Sequence, residues 1–177
     1  MKKLSLFAMA LLVIVSIASC KKDTTNGKVV FGDSKGMSVT SYDSTFHPEQ
    51  YGHFSWGNSV DLNGDGQNDV QFHSTSEIAG GGILTDLYCL ENTALLGDII
   101  DQKFSLFAYN ANDCFGNDGT FMCTDIKLRD GDKYYFPKDE TKYIGFKITE
   151  NNKSHLGWMK VILHHDYVEL LETAIQK

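Results

Sequence analysis

The chain reads as an all-β protein: an antiparallel β-sandwich, jelly-roll-like, preceded by a signal peptide. Two observations predict the fold class. Short alternating or β-branched runs recur along the sequence, while long stretches of helical period are absent. Turn-forming clusters separate the runs, among them Gly80-Gly81-Gly82, residues 110–113, Asn117-Asp118-Gly119, Asp130-Gly131-Asp132 and Asn151-Asn152-Lys153. Many short strands with a turn between each pair suit two packed antiparallel sheets.

The chain opens with a segment that takes no part in this fold. Met1-Lys2-Lys3 is basic, and residues 4–18 form an apolar run. Its length suits a signal-peptide core and is short for a membrane span. The run ends in Ile17-Ala18-Ser19-Cys20, which resembles the lipobox of bacterial lipoproteins. That resemblance implies removal of residues 1–19 and lipidation of Cys20, which would hold the protein to a membrane. The location it implies is the cell envelope, at the outer membrane, with the periplasmic face and the cell surface both open. Residues 20–27 are polar and aperiodic and read as a tether. Residues 28–177 remain as one domain, long enough for a substantial core.

The whole chain has 16 basic and 23 acidic residues, for a net charge of −7. Loss of Lys2 and Lys3 leaves 14 against 23, or −9. An acidic domain is a poor partner for nucleic acid, so none is expected.

Weak strands are expected over 28–31 and 37–42. Residues 52–62 and 70–75 then alternate large apolar with polar side chains and form a hairpin. Further strands are expected over 84–90, 104–109, 122–128, 143–149, 156–164 and 167–171. Residues 93–101 are the most helix-like piece of the chain.

The loop of the hairpin carries the clearest chemistry. In Asp61-Leu62-Asn63-Gly64-Asp65-Gly66-Gln67-Asn68-Asp69, oxygen side chains fall at positions one, three, five and nine. Ca²⁺ takes six to eight oxygen ligands, and alternate residues of a tight loop can all face one ion. Asp61, Asn63, Asp65 and Asp69 would supply side chains, and Gln67 its backbone carbonyl. Gly66 allows a positive φ after the third ligand. Three carboxylates this close repel one another unless a cation neutralises them. A metal-free Asn-Gly-Asp-Gly turn is the competing reading. The EF-hand glutamate at position twelve is missing, since Phe72 stands there. The strand-like flanks instead make the loop resemble the DxDxDGxxD loops of integrin-type and thrombospondin-type calcium repeats.

Farther on, Lys142-Tyr143-Ile144-Gly145-Phe146-Lys147-Ile148 is followed by His155-Leu156-Gly157-Trp158-Met159-Lys160-Val161. The pair resembles the YxGFxF…GW hairpin of secreted or lipid-anchored bacterial β-sandwich surface proteins, which often carry a DxNxDGxxD loop upstream. Leu156 departs from the tyrosine that the pattern has before Gly-Trp. The resemblance implies fold and localisation and no activity. Phe146 and Trp158 are expected in the core between the sheets, with Gly145 and Gly157 letting strands pack closely beside them.

Cys114 and Cys123 flank a loop sequence and could form a disulfide, or remain buried thiols like Cys89. The six histidines show no HxH or HExxH spacing, and no G-x-S-x-G elbow is present. A non-enzymatic binding or structural role follows, with a glycan or a protein as ligand. Its main rival is a carbohydrate-binding module built on exposed aromatic rings, with a glycoside hydrolase behind it.

Overall fold

The computed structural model describes residues 27–42, 49–51, 55–76, 83–90, 92–100, 103–165 and 167–177. The expected signal peptide, residues 1–19, and nearly all of the expected tether, residues 20–27, lie outside them. Among the described residues there are fifteen strands and no helix. In chain order they are β1 (Val29–Val30), β2 (Met37–Ser41), β3 (Glu49–Tyr51), β4 (Ser55–Val60) and β5 (Val70–Ser76). Next come β6 (Ile83–Cys89), β7 (Thr93–Ile100), β8 (Lys103–Leu106), β9 (Cys114–Phe115) and β10 (Thr120–Met122). The last five are β11 (Ile126–Asp130), β12 (Lys133–Tyr134), β13 (Thr141–Glu150), β14 (Lys153–Leu163) and β15 (Val168–Gln176).

Two antiparallel sheets make the sandwich. One runs β12-β11-β6-β5-β4-β3, and the other β10-β7-β13-β14-β15-β2, with β8 also paired to β7. Period-two alternation puts one face of each strand inward. Val70, Phe72, Leu87, Ile126 and Leu128 of the first sheet meet Ile144, Phe146, Ile148, Met159 and Val161 of the second in one buried cluster.

The second sheet is buried on its other face as well. The small β1–β9 pair, in register Val29↔Phe115, supplies part of a second cluster. Val29, Phe31 and Phe115 gather there with Leu96, Tyr143, Leu156 and Trp158. Trp158 is therefore buried as expected, at 1% exposure, but under the β1–β9 layer instead of between the two sheets. The alternation of β14 decides this, because Met159 and Val161 already occupy the inter-sheet face.

The helix-like stretch 93–101 is corrected to strand β7. Leu95 joins the inter-sheet cluster and its neighbour Leu96 the second one. A strand buried on both faces reads as a continuous apolar run, and Thr-Ala-Leu-Leu hides its period. The turn at Asn151-Asn152 follows expectation. Both residues have positive φ, 48° and 61°, between the paired Glu150 and Lys153. Asparagine tolerates that conformation, and a two-residue turn of this kind matches the twist of the strands.

Candidate metal centre

Strands β4 and β5 place the acidic loop. Their register ends on Val60↔Val70, and the Asp69 N–H donates to the Val60 carbonyl at 2.8 Å, leaving residues 61–69 to turn. Within the turn, the oxygen side chains hold the backbone. Asp61 accepts the Gly64 N–H through Oδ1 at 2.6 Å and the Gly66 N–H through Oδ2 at 2.8 Å. Asn63 Oδ1 accepts the Asp65 N–H at 2.9 Å, and Asp65 Oδ1 the Gln67 N–H at 2.7 Å. Each bond satisfies a donor that the sharp turn takes out of the ladder. Gly64 and Gly66 have φ of +83° and +88°, with open space where a Cβ would stand. Their glycine requirement is thus conformational.

Asp69 differs from the other three. It is buried, at 4% exposure. Its Oδ2 accepts the Leu62 N–H at 2.7 Å and its Oδ1 the Thr93 hydroxyl at 3.2 Å. Its carbonyl accepts the Leu90 N–H at 2.7 Å. The residue pins the loop to the crossing from β6 to β7, where the chain changes sheets. Burial raises the pKa of its carboxyl, and the nearby Asp61 and Asp65 charges raise it further against the two hydrogen bonds. Two carboxylates of the loop thus bear on the third.

Among the described residues, however, no group of three or more His, Cys, Asp or Glu side chains is gathered in metal-holding geometry. The carboxylates are turned toward backbone N–H groups. The donor set is nevertheless all hard oxygen, which fits Ca²⁺. Phe72, at the EF-hand glutamate's position, is a core side chain at 5% exposure and contributes no ligand.

One acidic residue at the loop was not legible locally. The Asn63 side-chain N–H donates to Glu150 Oε1. Glu150 ends β13, 87 positions away in sequence. Only the registers of both sheets bring it there, and no nearby motif announces it.

The cysteines depart from expectation. Cys123 is a free thiol, as is Cys89, so the Cys114–Cys123 bridge is not formed. The two flanking strands join different sheets: β9 pairs with β1, while β10 pairs with β7. That carries Cys123 to the end of β6, where its Sγ lies 3.8 Å from the Cys89 carbonyl oxygen. The Cys89 Sγ lies 3.7 Å from the Met122 carbonyl oxygen. Burial pushes the Cys89 thiol up to about 12. Cys123 is exposed, so iodoacetamide at pH 8 should alkylate it faster than Cys89 by on the order of 100-fold or more. Peptide mass spectrometry over time checks this, and equal rates would contradict the burial of Cys89.

The histidines disperse. His164 lies between Asp139 and Glu169, with ring nitrogens 3.1 and 3.0 Å from their carboxylates. His165 meets the buried Arg129, whose guanidinium also donates to the Gly131 and His165 carbonyls. His47 and His53 lie outside the described residues. Of the exposed rings, Phe107 meets Tyr109 edge to face at 86°, and Tyr135 lies under the Lys133 ammonium at 4.5 Å. Neither forms a flat two-ring platform for a sugar. The side chains of Tyr51 and Trp56 lie outside the described residues.

No family model, curated protein or solved structure matches this chain.

Proposed function

We propose that the protein is a lipid-anchored extracytoplasmic β-sandwich whose β4–β5 loop binds Ca²⁺ in a structural role, without catalysis of its own. The observation that carries the calcium reading is the crowding of Asp61, Asp65 and Asp69. Two of these charges bear on a third carboxylate that is already buried. A cation at the loop would relieve that repulsion. Asp61, Asn63, Asp65 and Asp69 would hold it through side chains and Gln67 through its carbonyl, with Glu150 beside Asn63.

Without a bidentate glutamate inside the loop, affinity is expected at about 0.1–1 mM, as in extracellular modules. At ten times Kd the ion adds about 1.4 kcal/mol. For a domain of this size the melting temperature should rise by about 3–6 °C. Asp65→Ala should abolish the rise, and Mg²⁺ should substitute poorly because it demands a smaller octahedral cage.

The pH dependence has a definite sign. Without metal, unfolded Asp69 loses its proton before folded Asp69 does, because burial raises the folded value. The folded state then binds more protons, so this group lowers stability as pH rises through that window. Ca²⁺ needs the ionised carboxylate, so its stabilising effect should fade on acidification from a pH above the ordinary aspartate range. Melting curves with and without several millimolar Ca²⁺, recorded across pH, test the reading. Curves unmoved by Ca²⁺ at pH 7 would leave an ordinary polar turn.

The anchor has its own test. Cys20→Ser should abolish labelled-palmitate incorporation, and incorporation unchanged in that variant would sink the lipoprotein reading.

A further inference from the structure

The groove of about 680 Å³ lined by β1, β2 and the start of β14 has the opposite character to the acidic loop, although Lys153 in it pairs across the β13–β14 turn with Glu150. Lys28, Lys35 and Lys153 line it, and all three are exposed. Among the described residues none of the three forms an ion pair. Among the described lining residues Asp33 is the one acidic side chain, and its Oδ1 accepts the Lys35 backbone N–H at 3.0 Å. Lys177 also lines the groove. Between them lie the half-buried Val30 and Met37.

Such a cluster is unexpected on a chain of net charge −7. Like charges gathered without partners cost free energy that an anion recovers. His155 also lines the groove, and its Nδ1 lies 3.2 Å from the Gln176 carbonyl oxygen, an acceptor only, so that bond places a proton on Nδ1. Lysine ammoniums are compact point charges suited to phosphate oxygens. The volume exceeds that of a bare ion and suits an organic body beside the charge.

We propose that this groove binds a phosphate-bearing ligand, its phosphate facing Lys28, Lys35 and Lys153 and its organic part lying on Val30 and Met37. The shared chemistry is a phosphate ester, presented either by a soluble compound or by a lipid headgroup.

The test uses the full chain carrying Cys20→Ser, so that no acyl group draws it to lipid, with EDTA present so that the calcium loop plays no part. Glycerol 3-phosphate is titrated by NMR. In parallel, flotation is measured on phosphatidylcholine vesicles with and without phosphatidylglycerol. Binding should weaken with added salt and fall at least ten-fold in a Lys35→Gln/Lys153→Gln double variant. It should stay unchanged in Lys133→Gln/Lys138→Gln, on another part of the surface. Shifts of the groove residues with glycerol 3-phosphate alone assign a soluble ligand. Flotation confined to phosphatidylglycerol vesicles and lost in the first double variant assigns a headgroup. Binding to neither probe, or binding indifferent to Lys35 and Lys153, overturns the proposal.

Discussion

Trp158→Ala is expected to lower the unfolding free energy by about 3–5 kcal/mol, as large-to-small changes at buried aromatic positions do. The indole is buried in the second cluster, with its ring centroid 5.3 Å from that of Tyr143 in an edge-on arrangement of 79°. Truncation would leave a void in the cluster that Trp158 shares with Leu96, Leu156 and Ala174. The indole N–H complicates the series usefully. Trp158 Nε1 is buried and has no hydrogen-bond partner among the described residues. Trp158→Phe removes that orphan donor along with part of the ring, so it should cost clearly less than Trp158→Ala. Urea unfolding followed by far-ultraviolet circular dichroism measures both. A cost under about 1 kcal/mol for Trp158→Ala would mean that the β1–β9 layer does not cover the indole in solution.

Gly157→Ala should be nearly as damaging, at the upper end of the roughly 1–3 kcal/mol typical of overpacking. A Cβ there would stand 2.5 Å from the Ala174 carbonyl oxygen and would also strike the Phe146 ring. The ring could turn, but the carbonyl belongs to the ladder between β14 and β15, where Trp158 pairs with Ala174. Relief would need the two strands to part. Gly145 is a milder case, because a Cβ there meets the Leu96 side chain at 2.8 Å and the Phe115 ring at 3.3 Å. Gly145→Ala should therefore be the better tolerated of the two in the same unfolding experiment. The reverse order would show that β14 and β15 have slack that their register does not suggest.

What the sequence disclosed follows from how local each signal was. The β4–β5 hairpin and its loop were readable because the alternation, the glycines and the acidic positions all lie within about twenty neighbouring residues. The β13–β14 hairpin was readable for the same reason, and at each of its two glycines a Cβ would meet a neighbour at under 3 Å. Strand β7 was not readable, since Leu95 and Leu96 face two different cores and leave no polar face to mark the period. The second core was hidden because Val29 and Phe115 meet across most of the domain. Glu150 and the Cys89–Cys123 proximity were hidden likewise. Each needs a strand register, and no short window of sequence contains one.

The acidic loop is the point on which the account turns. Its backbone is already shaped by Asp61, Asn63 and Asp65, which accept N–H groups at 2.6–2.9 Å. Preformed turns lower the ordering cost of gathering ligands, so an ion needs only to draw the carboxylates' remaining lone pairs together. Calorimetric titration of the full chain with Ca²⁺ at neutral pH tests this most directly. One site with Kd of about 0.1–1 mM is expected, lost in Asp65→Ala and not reproduced by Mg²⁺ at the same concentrations. A titration without saturable heat up to about ten times that range, or one unchanged by Asp65→Ala, would contradict it.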